Sequence, residues 1–220
     1  MKIFRLVLAW LVTLVLPVAL LFAGLRPLLT TAFLQVEYRM PGFPVDTYGF
    51  TLEDRLQYAP LAVQYLVNDA GIEFLGDLTF PDGSPLYNER ELSHMQDVKN
   101  VVQPVLWIGY VAWAFLTGIG LWAWFGRWWP EFRLGLRRGG RLTVGLVAAV
   151  GIFAGFGFSQ FFVVFHSLFF ESNSWLFFYS DTLIRLFPIR FWQDCVIYIF
   201  VIAAGLGLIL AFVKGKPKAK

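Results

Sequence analysis

Four long stretches without a charged side chain divide this chain: Leu6 to Leu25, Asn100 to Gly126, Leu142 to Phe170 and Cys195 to Val213. Each approaches or exceeds the roughly 20 apolar residues needed to cross about 30 Å of hydrocarbon. The pattern predicts transmembrane helices over 1–25, 100–126, 142–166 and 194–213. Between them it leaves a polar segment 26–99, a basic loop 127–141, an aromatic loop 167–193 and a lysine-rich tail 214–220. The first span has the basic start of a signal peptide. Its apolar run is long and no convincing small-residue cleavage site follows, so it reads as an uncleaved anchor.

The 26–99 segment is too long for a simple connection and too short for an ample core of its own, so it reads as a cap. Thr51-Leu-Glu-Asp54 has the form of a helix start, and Leu52, Leu56, Tyr58, Leu61, Ala62, Tyr65 and Leu66 supply an apolar side. Pro60 is expected to break or bend that helix. Pro81-Asp-Gly-Ser84 is a turn sequence between apolar stretches, which predicts a hairpin from about Ile72 to Tyr87. Asn88-Glu-Arg-Glu91 reads as a capping box opening a helix that carries His94 and Asp97 on one face toward the second span, with Pro104 as a kink point. The expected fold is therefore an all-α membrane protein of four transmembrane helices, with a small mixed α/β extracytoplasmic cap between spans one and two.

Charge sets the expected orientation. The N-terminus, the 127–141 loop and the tail hold 11 of the 18 basic residues and one acid, Glu131, which places both termini in the cytoplasm. The cap and the 167–194 region then face outward, with 14 of the 15 acids, seven basic residues and both histidines beside them. The net charge of +3 is the sum of +10 inside and −7 outside, so the high pI reflects topology and gives no support to nucleic-acid binding. A hydrophobic content of 58% with 15% charged residues agrees with a membrane class.

The candidate chemistry centres on the histidines, of which the chain has two, His94 and His166. Histidine titrates nearest neutrality, and two of them at one interface can accept and return a proton. Asp97 is placed to orient His94. Ten of the 22 residues from Phe158 to Tyr179 are aromatic. They form an interfacial belt, and Trp175, Tyr179, Trp192 and Trp107 are candidates to wall an acyl-chain pocket. In the same outer loop lie Asn173, Asp181, Thr182, Arg185 and Gln193; Asp181 is expected to cap the helix begun by Thr182 or to pair with Arg185. Cys195, the single cysteine, excludes an internal disulfide and is either packing or an acyl-enzyme nucleophile. No GxSxG, HExxH or phosphate-binding loop occurs. The glycines of the spans fit close helix packing.

Glu91-Leu-Ser-His-Met-Gln-Asp-Val-Lys99, and Phe165-His-Ser-Leu-Phe-Phe followed by Trp175 and Asp181-Thr-Leu-Ile-Arg-Leu-Phe-Pro-Ile-Arg-Phe-Trp192, resemble the lipoprotein intramolecular transacylase family. The two motifs come in the family's order and contain both histidines, while Pro41 to Pro85 offers no comparable match. The resemblance implies an enzyme of the bacterial plasma membrane, without a cofactor, acting at the extracytoplasmic face among membrane lipids. Its substrate would be the diacylated N-terminus of a lipoprotein. The sn-2 acyl chain of the diacylglyceryl group would move to the α-amino group of the N-terminal cysteine, leaving a lyso form. Two readings from other classes stay open: a bis-histidine haem electron-transfer protein, and a zinc site of His94, Asp97 and His166.

Overall fold

The computed structural model describes residues 2–170 and 175–213. In chain order the helices are α1 (Lys2–Leu28), α2 (Thr31–Glu37), α3 (Leu52–Val67), α4 (Glu73–Gly76), α5 (Glu89–Phe125), α6 (Trp129–Phe156), α7 (Phe158–Phe169), α8 (Thr182–Leu186) and α9 (Ile189–Ala211). Four of these, α1, α5, α6 and α9, are long and apolar enough to span a bilayer. The 37 residues of α5 give it a length of about 55 Å, well beyond the hydrocarbon thickness, so part of this helix stands outside the apolar core.

The chain divides into two compact units. Among the described residues, one comprises 2–25, 106–156 and 197–213; the other comprises 26–105, 157–170 and 175–196. The first unit is held by close backbone approach. Its core gathers Leu8, Val12, Leu16 and Ala19 of α1, Ala112 and Leu116 of α5, Phe132 and Val147 of α6, and Ala203 of α9, with Trp128 buried at the α5–α6 turn. Three glycines let α6 approach two neighbours. A Cβ at Gly135 would lie 2.6 Å from the Ala9 carbonyl oxygen, and one at Gly139 would lie 2.8 Å from Leu16 Cβ, so this face packs on α1. A Cβ at Gly140 would lie 2.5 Å from the Gly207 carbonyl oxygen on α9. In lipid such contacts are a main source of attraction between helices, because the tails outside are as apolar as the side chains inside. Thr13 adds a buried hydroxyl that donates to the Ala9 carbonyl at 2.8 Å.

In the second unit α3 starts at a full capping box. The Thr51 hydroxyl receives the Asp54 N–H, and the Asp54 carboxylate receives the Thr51 N–H. Tyr58, Ala59, Ala62, Val63 and Tyr65 bury one face of this helix. That burial carries α3 unbroken through Pro60, where a break or bend was expected. Arg55 ties α3 into the unit, its Nε donating to the Arg185 carbonyl at 3.1 Å and its Nη1 to the Pro44 carbonyl at 2.7 Å. Tyr38, just after α2, donates its hydroxyl to the Leu186 carbonyl at 2.9 Å.

The expected mixed α/β cap does not form: no strand occurs among the described residues of 26–99. Where a hairpin was expected, from Ile72 to Tyr87, the chain makes the short α4 and then a turn closed by one antiparallel bridge between Thr79 and Pro85. The amides that would extend a ladder are spent locally: the Ser84 N–H donates to Asp82 Oδ1, the Gly83 N–H to the Phe80 carbonyl and the Leu78 N–H to the Leu75 carbonyl, so Phe80 N–H to Ser84 O and Leu86 N–H to Leu78 O are the bonds that cross the turn.

The region read as a basic loop is helical from Trp129. Pro130 and Glu131 suit a first helical turn, where a missing N–H costs nothing and a negative charge meets the dipole. The apolar run read as one third span is divided at Gly157, which adopts an extended conformation between α6 and α7. The last span starts earlier than its charge-free run, at Ile189. The lysines of the tail, 214–220, lie outside the described residues.

The glycine packing of α6 predicts a position-dependent cost for added side chains. Gly140→Val should lower stability by about 1–3 kcal/mol through overpacking. Gly145→Ala, with nothing within 4 Å of its Cβ, should not. Thermal unfolding of the two variants in detergent compares them directly.

Candidate active site

The site is built on the start of α5. Asn88 and Glu91 form the expected capping box: the Asn88 N–H donates to Glu91 Oε2 at 2.9 Å, and the Glu91 N–H to Asn88 Oδ1 at 3.1 Å. The other Glu91 oxygen reaches across the unit and accepts the Leu183 N–H at 2.6 Å. One carboxyl, 1% exposed, therefore caps two helices, α5 and α8.

Asp181 was expected to cap α8 or to pair with Arg185, and it does neither. It sits at the N-cap position without a side-chain cap bond. Its carboxylate instead accepts Arg90 Nη2 at 2.8 Å, Asn88 Nδ2 at 3.2 Å and the Phe178 N–H at 2.8 Å. Glu91 already occupies the cap, which frees Asp181 to hold the first turn of α5. Arg185 turns away to Asp46 at 3.1 Å, donates to the Tyr48 carbonyl and lies 3.5 Å over the Phe50 ring.

One turn beyond Glu91, His94 meets His166 of α7. Their ring centroids are 6.2 Å apart with planes inclined by 23°, and both side chains are buried. His166 Nδ1 lies 2.8 Å from the Phe162 carbonyl oxygen, one turn back in the same helix. A carbonyl only accepts, so Nδ1 carries the hydrogen, and in the neutral ring Nε2 holds the lone pair. Burial lowers the pKa of His166 while the bond to Phe162 opposes that, which favours the neutral imidazole near pH 7. His94 Nδ1 is buried and bonds to none of the described residues. Asp97 therefore does not hold that nitrogen in the manner of a carboxylate–imidazole pair.

Aromatic rings enclose the pair. Phe170 and Phe177 stand edge-on to His94 at 5.0 and 5.2 Å. Phe162, Trp175 and Phe170 lie 4.0, 5.1 and 5.5 Å from His166. Of the residues expected to wall a pocket, Trp175 is thus in contact with a histidine. Trp192 is one ring further out, 6.4 Å from Phe162 and donating to the Phe187 carbonyl. Tyr179 is exposed and lines a separate cavity of about 330 Å³ with Asp46, Tyr48, Arg55 and Arg185. Trp107 is exposed and belongs to the other unit. Asn173 lies outside the described residues.

Phe162 was not singled out from the sequence, although its place four residues before His166 put it on the same helical face. The reach of Glu91 to α8 had no sequence signal, because its partner is 92 positions away. Cys195 is buried and reduced. Among the described residues no group of three or more His, Cys, Asp or Glu side chains is arranged to hold a metal.

The profile of the family described as lipoprotein intramolecular transacylase Lit matches residues 4–192. The chain belongs to this family. An uncharacterised protein of Aquifex aeolicus (strain VF5) is 29% identical over 183 residues, covering 82% of this chain and 80% of its own. The in meso structure of the membrane-integral lipoprotein intramolecular transacylase Lit from Bacillus cereus superposes with a TM-score of 0.80 at 18% identity, covering 96% of this chain and 94% of that one. A histidine-to-alanine variant of the Bacillus cereus protein superposes with a TM-score of 0.72 at 17% identity, covering 95% and 91%. The transacylase family fold is thus an all-helical, multi-pass membrane fold, and this chain has it.

The double cap at Glu91 gives the site's own prediction. Glu91→Ala leaves the buried Leu183 N–H without its acceptor, at about 1–3 kcal/mol, and removes the reciprocal half of the capping box at Asn88. Its thermal midpoint should fall well below that of a surface control such as Glu53→Ala, measured side by side in detergent.

Proposed function

We propose that this chain is an enzyme that moves the sn-2 acyl chain of a diacylated bacterial lipoprotein onto the α-amino group of its N-terminal cysteine, leaving a lyso-glyceryl product. The observation that carries the reading is the facing pair His94 and His166 inside an aromatic enclosure, in a chain of the transacylase family.

The chemistry needs little more. An α-amino group with a pKa near ~8 is mostly protonated at neutral pH, so a base must first remove a proton. The Nε2 lone pair of a neutral His166 suits that step. The free amine then attacks the ester carbonyl carbon, a C–N bond forms, and the bond from that carbon to the glyceryl oxygen breaks. As the amide forms, the nitrogen gives up a second proton, and the histidine pair returns one to the departing glyceryl oxygen. Donor and acceptor sit in one molecule, so folding the substrate into a ring supplies several kcal/mol through proximity, with no enzyme nucleophile. Phe162, Phe170, Trp175 and Phe177 hold acyl chains around the histidines and keep water from the ester. Asp181 and Arg185 serve the frame: one fixes the start of α5 and the other the 46–50 loop.

Mass spectrometry of lipoprotein N-termini from a competent host tests the activity. The N-acylated, sn-2-deacylated cysteine should appear only with this gene. His94→Ala or His166→Ala should each reduce it by about 100-fold or more, and the double variant should lose little beyond either single one. Full product from a single variant removes that histidine from the mechanism.

The same reading places both termini in the cytoplasm and the histidines at the outer face, where mature lipoprotein termini are displayed. In a Cys195→Ser background, Asp82→Cys should react with an impermeant maleimide added to intact cells, and Lys2→Cys should not. The opposite labelling would put the histidines on the wrong side for this substrate.

A further inference from the structure

Away from the histidines, the second unit contains an acidic pair, a buried Glu37 facing a half-buried Asp194, that the acyl-transfer chemistry does not use. Glu37 closes α2 and is 0% exposed. Neither of its carboxyl oxygens receives an N–H or O–H from the described residues. Facing it within hydrogen-bonding reach is the carboxyl of Asp194, in the first turns of α9. Asp194 is also the partner of Arg190, one turn earlier in α9.

Two ionised carboxylates are acceptors only and cannot bond to each other. A buried carboxylate with neither donor nor cation of its own is expensive, and the usual escape is to take up a proton. Arg190 compensates one negative charge of the pair, and among the described residues no cation bonds to the Glu37 oxygens. A single proton between the oxygens meets both demands: it neutralises one carboxyl and makes it the donor the other lacks.

We propose that Glu37 and Asp194 share one proton, forming a clasp between α2 and the start of α9 that closes when the proton is bound and opens when it leaves. The groups facing Glu37 are Asp194, Arg190 and Cys195 on α9, with Tyr38 beside it on its own segment. Burial is the main cause that raises the Glu37 pKa from 4.5 to about 7; the bond and the like charge of Asp194 add to it, and Arg190 opposes it. The folded chain therefore keeps a proton that the unfolded chain releases. The stabilisation is fully present below 4.5, declines as pH rises from 4.5 toward about 7, and is gone above that. The clasp joins α2 to α9 just where Tyr38 reaches the Leu186 carbonyl and packs on Phe191. Its opening at mildly alkaline pH loosens the support of α8.

Infrared spectroscopy of the purified full-length protein tests this without reference to acyl transfer. Below the midpoint, wild type minus Glu37→Gln should show the C=O band of a protonated carboxyl, and the band should vanish as pH rises through about 7. Asp194→Asn should move the midpoint down and Arg190→Gln should move it up, each by about one pH unit or more, because one removes a like charge and the other a counter-charge. In thermal unfolding, the decline in midpoint between pH 5 and 7 should be lost in Glu37→Gln. Absence of the carboxyl band, or shifts of the same sign in the two α9 variants, overturns the proposal. So does a thermal midpoint that depends on sodium at constant ionic strength, which would make the occupant a metal cation.

Discussion

A buried carboxyl must find donors, and Glu91 finds them on two helices at once. Its oxygens take the N–H of Asn88, at the start of α5, and of Leu183, in the first turn of α8. Helix N-termini present unpaired N–H groups together with the positive end of the backbone dipole, so a carboxyl is the side chain best suited to join two of them. Asp181 answers from the other side by accepting Arg90 and Asn88. The first turn of α5 is thus fixed against the segment that leads into α8. His94 is one turn further along α5, and its position is set by this arrangement more than by anything its own ring touches.

The membrane-spanning unit solves a different problem. Among apolar helices in an apolar solvent, burial of surface discriminates poorly, and close fit takes over. The glycines of α6 at positions 135, 139 and 140 bring its backbone against α1 on one side and α9 on the other. Thr13 and Trp113 add hydrogen bonds to the Gly135 and Ala19 carbonyls, which stay strong where no water competes. The two units therefore obey different rules: shape among the spans, and satisfaction of buried polar groups around the histidines.

The proposed acyl migration asks for a dry enclosure and for proton transfer near neutrality, demands that conflict because dry surroundings disfavour charge. In that proposal the aromatic rings around His94 and His166 supply the first. The second falls to imidazole, which is neutral when waiting and charged only in passing. His166 is held in one tautomer by a carbonyl of its own helix, so its orientation does not depend on a distant partner.

Much of this was legible in one dimension. Hydrophobic run length determined the number of spans, because bilayer thickness leaves little freedom. The capping boxes at Thr51 and Asn88 were readable because both partners lie within one turn. The histidines and their flanking motifs pointed to the family. Other features depended on the fold. Ser84, Gly83 and Leu78 spent their N–H groups locally and left no ladder for a hairpin, and Trp129 to Arg141 joined the third span because its glycines found partners on α1 and α9. Glu91 capping α8, Arg185 choosing Asp46 over Asp181, and Glu37 meeting Asp194 are all pairings across 90 residues or more. Local chemistry shows which groups need a partner, but only the packed backbone decides which partner comes within bonding distance.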